Sequence, residues 1–310
     1  VTFRLKRNRR PGLLSRLCAV VLILVAAADS FGGEGRHFTD QLGRRLQAPD
    51  DPQRVVALAE SVTEIVFAVG RGDRLVGTTR FADYPQAALK LPRIGSYIQL
   101  DIERIAALRP DLCIGTRDGN PKAAIDRLDA LGIPVYISNP MGIESILQSI
   151  TEIGALMRAE EAAAALVSEL HRRIAAVTEV ARRSDTHPTV FFQIGVDPIV
   201  SAGRGTFIHE LIEAAGGVNA AGEAAAYPKY SPEQLVRLAP DVVVITTMTQ
   251  GADFDAVRRE WLRWPRIPAV RDGRVHVVDA AVFNRPAPRL IDGLEILARL
   301  IHPEALGSPP

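Results

Sequence analysis

Apolar positions in this chain recur with two periods, and the switches between the periods mark out its elements. Short, continuous apolar and β-branched runs predict strands buried on both faces. They begin at Arg54 (RVVALAES), Asp111 (DLCIGT), Ile133 (IPVYIS), Thr189 (TVFFQIGVD) and Asp241 (DVVVITT). Between them lie stretches with the three-and-four spacing of amphipathic helices, such as TEIVFAVG from Thr63, AAIDRLDALG from Ala123 and TFIHELIEAAGG from Thr206. Thr63 and the Asn120-Pro121 pair read as helix starts, and Gly70 and Gly132 as helix stops. The longest helical pattern runs from Ile153 to Ser184. It carries Leu156, Ala163, Leu166, Leu170, Ile174 and Val177 on one face, with no Pro or Gly between Gly154 and Pro188. Glu160 and Glu161 lie early in it and Arg182 and Arg183 late, as the helix dipole favours.

The two sides of this helix repeat each other. DIERIAALRPDLCIGT (from Asp101) and SPEQLVRLAPDVVVITT (from Ser231) are both a Glu-bearing short helix, then Leu-x-Pro-Asp, then an apolar strand. Glu103 stands as far before Pro110 as Glu233 stands before Pro240. Strands alternating with helices predict parallel βα units. The expected fold is α/β: two Rossmann-like lobes with parallel sheets, joined by one long α-helix, with a ligand cleft between them. The expected division is a signal peptide at 1–28, a flexible leader at 29–52, an N-terminal lobe at 53–150, the inter-lobe helix at 151–187 and a C-terminal lobe at 188–310.

The first segment looks like an export signal. Six basic residues, Arg4 to Arg16, flank the apolar LCAVVLILVAAA, and Ala26 and Ala28 supply an A-x-A pattern, which implies a periplasmic mature protein. Removing it takes the formal charge from +1 to about −5, which argues against nucleic acid as a partner. Cys113, the one cysteine left after that removal, lies in the LCIG strand and reads as a small core residue.

Catalytic patterns are missing. The histidines (37, 171, 187, 209, 276 and 302) have no metal-ligand spacing, and HELIE at His209 lacks the second His of a zinc-protease helix. No serine elbow or P-loop occurs, and AGRGTF reads as a turn before a helix. The expectation is a binding protein with no metal, cofactor or catalytic residue. Aromatics make up only 5% of the chain, yet Phe81, Tyr84, Tyr97, Tyr227, Tyr230 and Phe283 fall in predicted strand-end loops. Arg80, Arg117, Arg204 and Arg285 share those loops. Ligands of open α/β sheets bind at that end, and aromatic faces with a few polar groups suit a large, flat, partly apolar molecule. Tyr84, before Pro85, is expected to plug its own turn, and Trp261 and Trp264 to pack a helix end.

RVVALAESVTEIVFAVG, FADYP, DIERIAALRPDL, TRDGNP, the long helix, FFQIGVDP, YSPEQLVRLAPDVVVIT and FNRPAPRL together resemble the periplasmic cobalamin-binding proteins of ABC importers. The resemblance spans nearly all of the chain after about residue 53. It implies capture of cobalamin or a related corrinoid as the transported ligand and delivery to a dimeric permease. Phe81, Tyr97 and Tyr227 then fall where the family places aromatics around the corrin, and Phe283 and Arg285 in the closing loop of the second lobe. Glu103 and Glu233 resemble the pair of docking carboxylates that meet arginines of the permease. Thr116 stands where the family has a Trp, Ala281 where it has an Asp, and Ile194 where it has an aromatic. Haem and ferric-siderophore binders share the class, and a secreted enzyme on this scaffold is a further alternative. Haem binders carry a Tyr directly after the Gly of an Ile-Gly pair, whereas Ser96 follows Gly95 here and Tyr97 comes one place later.

Overall fold

The computed structural model describes residues 35–246 and 253–306. The predicted signal segment lies outside them, so only the remainder bears on the expected layout. The first lobe is a four-stranded parallel sheet, order β4-β3-β7-β8: β3 (Val55–Ala57), β4 (Leu75–Gly77), β7 (Leu112–Thr116) and β8 (Val135–Ser138). Between β4 and β7, β5 (Gly95–Ser96) and β6 (Gln99–Leu100) form a small hairpin. Helices α1 (Glu60–Ala68), α2 (Ile102–Ala107) and α3 (Lys122–Ala130) make the crossovers.

The second lobe is built on β9 (Thr189–Gly195), β10 (Ile199–Ser201), β11 (Val218–Asn219), β12 (Lys229–Tyr230), β13 (Val242–Ile245) and β14 (Val275–Val277). Its sheet runs β12-β10-β9-β13-β14. It is mixed rather than purely parallel, because β10 folds straight back on β9 and pairs antiparallel with both neighbours. Its helices are α6 (Phe207–Ala214), α7 (Pro232–Leu238), α8 (Phe254–Leu262), α9 (Pro268–Arg271), α10 (Ala280–Phe283), α11 (Leu290–Ile301) and α12 (Pro303–Leu306).

The sequence repeat is a repeat of hydrogen bonds. Arg109 and Ala239, each just before the Pro-Asp pair, are both left-handed, with φ of 46° and 45°. That turn aims each Asp at the start of its lobe's first strand. Asp111 accepts from the amides of Gln53 and Arg54, and Asp241 accepts from the amide and hydroxyl of Thr189. Glu103 and Glu233 are each the second residue of α2 and α7, two places after the N-capping Asp101 and Ser231. Both are exposed.

Strand alternation divides the core into three. Leu112 and Ile114 face one cluster and Cys113 another; Val242 and Val244 face the first, Val243 and Ile245 a third. The first cluster is shared between the lobes. It runs from β3 and α1 through α4 (Ile143–Leu156) and α5 (Glu160–Arg183) to β9, α6 and α11.

Three expectations change. The long helix does not begin at Ile153: α4 ends at Leu156, Arg158 turns left-handed (φ 51°), and α5 starts afresh at Glu160. The chain there doubles back, and α4 packs on α5 where Gly154 faces Ala163 so closely that an added Cβ would lie 2.3 Å from that of Ala163. The expected leader holds a hairpin, β1 (Arg36–Thr39) with β2 (Arg45–Ala48). It covers the outer edge of β8: the Gln41 amide donates to Ile137 O, Arg44 to Val135 O, and Gln41 Oε1 accepts from the Asn139 amide. The first helix starts at Glu60, not after Thr63, whose hydroxyl instead bonds Ala59 O and Thr78.

Candidate ligand-binding cleft

The loops singled out in the sequence come from both lobes. In the first lobe these are residues 78–94 after β4, the β5–β6 turn, and residues 117–121 after β7. In the second lobe the residues singled out lie in 202–206 and 220–228, which run side by side next to the antiparallel β10, and in 284–289.

Tyr97 sits at the tip of the β5–β6 turn, half-buried. The Ser96 side chain, where a haem binder of this class would present its Tyr, points inward and is 2% exposed, its Oγ accepting from the Gln99 amide. The Tyr97 ring lies directly on Gly119: a Cβ there would stand 2.2 Å from Tyr97 Cδ2, and Gly119 has φ of +108°. Only glycine meets both conditions. Beneath it Asn120, 8% exposed, is a three-way tie. Its Nδ2 donates to Tyr97 O and Leu58 O at 2.8 Å each, and its Oδ1 accepts from the Thr116 amide at 2.8 Å. Asn120, read from sequence as a helix start, thus locks the Tyr97 turn to the ends of β3 and β7. Thr116, where the resemblance implies a Trp, is 5% exposed and donates to Asp118 O.

Tyr227, 48% exposed, comes from the opposite lobe. Burial of its hydroxyl and the nearby Asp118 carboxylate both raise its pKa. Burial and the charge of Glu60 do the same for Tyr97. The charge of Asp118 in the first lobe thus reaches Tyr227 of the second, and its neighbour Gly119 lies under Tyr97.

At another part of the cleft edge the lobes touch through charge. Arg285 donates to Glu64 Oε1 (3.1 Å), Asp83 Oδ1 (2.6 Å) and Phe81 O (3.0 Å). Arg289 holds Glu64 with two bonds of 2.8 and 2.7 Å, and its guanidinium lies 3.9 Å over the Tyr84 ring. Burial alone would raise the Asp83 carboxyl, but Arg285 outweighs it and holds the group below its ordinary pKa. The Arg285 guanidinium, conversely, is raised by Asp83 and Glu64 against the cost of its burial. Arg285 is therefore a strut between lobes rather than a free ligand cation, and Tyr84 backs Arg289 instead of plugging its turn. Phe81 is half-buried beside them, its ring under Arg80 at 5.1 Å.

Phe283 corrects the sequence reading. It is 0% exposed, ends α10 rather than lying in a loop, and packs on Phe192 at 5.4 Å between ring centroids. Tyr230 likewise lies edge-on to Phe191 in the core. Trp261 is buried, as expected of a helix-end residue, and donates to Gln193 Oε1 at 2.7 Å. Arg117 is exposed in the loop after β7, and Arg204 pairs with Glu223. Glu210, in the HELIE stretch, caps α4 from across the lobes by accepting from the Ile143 amide at 2.7 Å. Sequence reasoning missed Glu64, Arg289 and Glu210 because each looks like an ordinary helix-surface charge until its partner is in place.

A sequence profile described as "Periplasmic binding protein" matches residues 55–282. A vitamin B12-binding protein of Yersinia pestis is 32% identical over 241 residues, covering 77% of this chain and 82% of its own. The periplasmic vitamin B12 binding protein of Vibrio cholerae superposes with a TM-score of 0.71 at 28% identity, over 82% of this chain and 98% of that one. A periplasmic heme-binding protein of Pseudomonas aeruginosa does so with a TM-score of 0.74 at 31% identity, over 82% of this chain and 94% of that one. The profile match covers well over half of the sequence, and the chain belongs to the periplasmic binding protein family.

Proposed function

We propose that this protein captures cobalamin or a related corrinoid between its two lobes in the periplasm and hands it to an ABC importer. The carrying observation is that the loop Asp118-Gly119 of the first lobe lies under Tyr97 and carries a charge felt by Tyr227 of the second lobe. Two aromatic faces with hydroxyls at their edges suit a broad macrocycle bearing hydrogen-bonding substituents. Phe81 and Arg117 belong to the same rim. The vitamin B12-binding relative supports the corrinoid over other macrocycles. So does the inward-turned Ser96, which leaves no tyrosine directly after Gly95 for an iron.

The test is a calorimetric titration with cyanocobalamin and hemin side by side. One-to-one binding of cyanocobalamin, weakened roughly tenfold or more by Tyr97→Ala and by Tyr227→Ala, is the expected result, since stacking on a ring is worth about 1–3 kcal/mol. Binding of hemin alone would overturn it.

Delivery is assigned to Glu103 and Glu233. Two exposed carboxylates at matching places of a duplicated fold suit a twofold pair of basic sites on a permease dimer. Charge reversal at both is expected to abolish transport and leave ligand affinity unchanged; a fall in affinity would place them in the cleft instead.

A further inference from the structure

Arg285 and Arg289 stand side by side between the strand-end loops of the two lobes. Adjacent guanidiniums are a natural receptor for ligand carboxylates. In this cleft both are already occupied. Glu64 takes one bond from Arg285 and two from Arg289, and Asp83 takes another from Arg285. Glu64 is 3% exposed and fixed on α1, so it cannot withdraw to solvent, whereas the Asp83 side chain is 58% exposed. Two positive and two negative charges leave the cluster neutral.

We infer that Glu64 is a specificity-determining residue: by neutralising Arg285 and Arg289 it withholds the cleft's cation pair from dicarboxylate macrocycles and favours ligands whose periphery carries amides rather than acids. The inference rests on the corrinoid reading for the kind of ligand and adds to it the basis of discrimination. A ligand acid approaching Arg285 meets the fixed charge of Glu64 behind it. At about 8 Å and an effective dielectric near 20, one such charge changes affinity by a factor of roughly ten or more.

The experiment uses a metal-free porphyrin as the free diacid and as its dimethyl ester, so that iron ligation plays no part. Both are titrated into the wild type, Glu64→Gln and Asp83→Asn. Glutamine keeps the shape of Glu64, and Asp83 is exposed enough for its change to leave the core intact. The diacid-to-ester affinity ratio is expected to rise roughly tenfold in Glu64→Gln and by less in Asp83→Asn, since weakening the bridge between the lobes acts on both ligands alike. A diacid-to-ester affinity ratio that stays at the wild-type value, or no diacid binding by either variant, would overturn the assignment. If Glu64→Gln fails to fold, Asp83→Asn decides. Cyanocobalamin run in parallel separates the two claims: its failure to bind the wild type removes the corrinoid reading, while the diacid-to-ester ratio still judges Glu64.

Discussion

A single carbon added at Gly119 would collide with the Tyr97 ring and would also hold an alanine at φ of +108°. Gly119→Ala is therefore expected to cost about 1 kcal/mol of stability or more. It should also lower cyanocobalamin affinity, because the ring must turn out of its place. In a Tyr97→Ala background the same change should cost no further affinity, and a double-mutant cycle read by calorimetry checks this. Phe283→Ala should behave in the opposite way. Its ring is wholly buried against Phe192, so truncation should cost about 3–5 kcal/mol in urea unfolding. Ligand affinity per folded molecule should hardly change. The histidines set the pH response. His302, chiefly through burial, and His276, through burial and the charges of Arg274 and Arg258, have pKa values below the ordinary 6.5. Below that pH the unfolded chain gains protons that the folded chain resists. Stability should thus be flat in these groups above pH 6.5 and fall as the pH drops below it. Urea midpoints at about pH 5.5 and 7.5 test the sign, and His302→Gln should reduce the slope.

At the scale of elements, what the sequence could reveal depended on whether the deciding contacts were local. Alternating strand and helix periods and the Leu-x-Pro-Asp repeat are local, and they predict the βα units and the register of the duplication. The stripe from Ala163 to Val177 likewise predicts α5. Its N-terminal limit was hidden, because the turn at Arg158 is made by a residue with no turn preference and by the packing of α4 on α5. The β1–β2 hairpin was hidden for a related reason: RHFT and RLQA gain their order from the exposed edge of β8, about a hundred residues on. At the site, Tyr97 and Tyr227 could be picked out as aromatics in strand-end loops, but Glu64 could not. Its partners lie 221 and 225 residues away. The α4–α5 contact gives its own test. Gly154→Val places two methyl groups where Ala163 already sits. It should destabilise the protein by about 1–3 kcal/mol through overpacking, and Ala163→Gly should return part of that loss, read as a shift in thermal midpoint.

For the whole molecule, the question is how far the lobes move. Three features oppose a wide opening. The largest core cluster runs unbroken from β3 and α1 through α4 and α5 into α6 and α11, so parting the lobes would expose apolar surface. Helix α5 spans on the order of 36 Å, and bending it would break its hydrogen-bond ladder. The third is polar: Glu210 caps α4 across the lobes, and Glu64 binds two arginines from the other side. Each hydrogen bond to a charged group lost on parting the lobes costs about 1.5–3 kcal/mol. A cost of about 3 kcal/mol already limits the open form to under roughly 1% of molecules. The cleft is thus set near its closed width before any ligand arrives, and ligand need not drive closure. Small-angle scattering profiles of the free and cyanocobalamin-bound protein are expected to superimpose. Arg289→Ala, which removes two of the three bonds to Glu64, should broaden the free profile and speed both association and release. A free wild-type profile that contracts on adding ligand would mean that these bridges yield in solution and that closure is driven by the ligand.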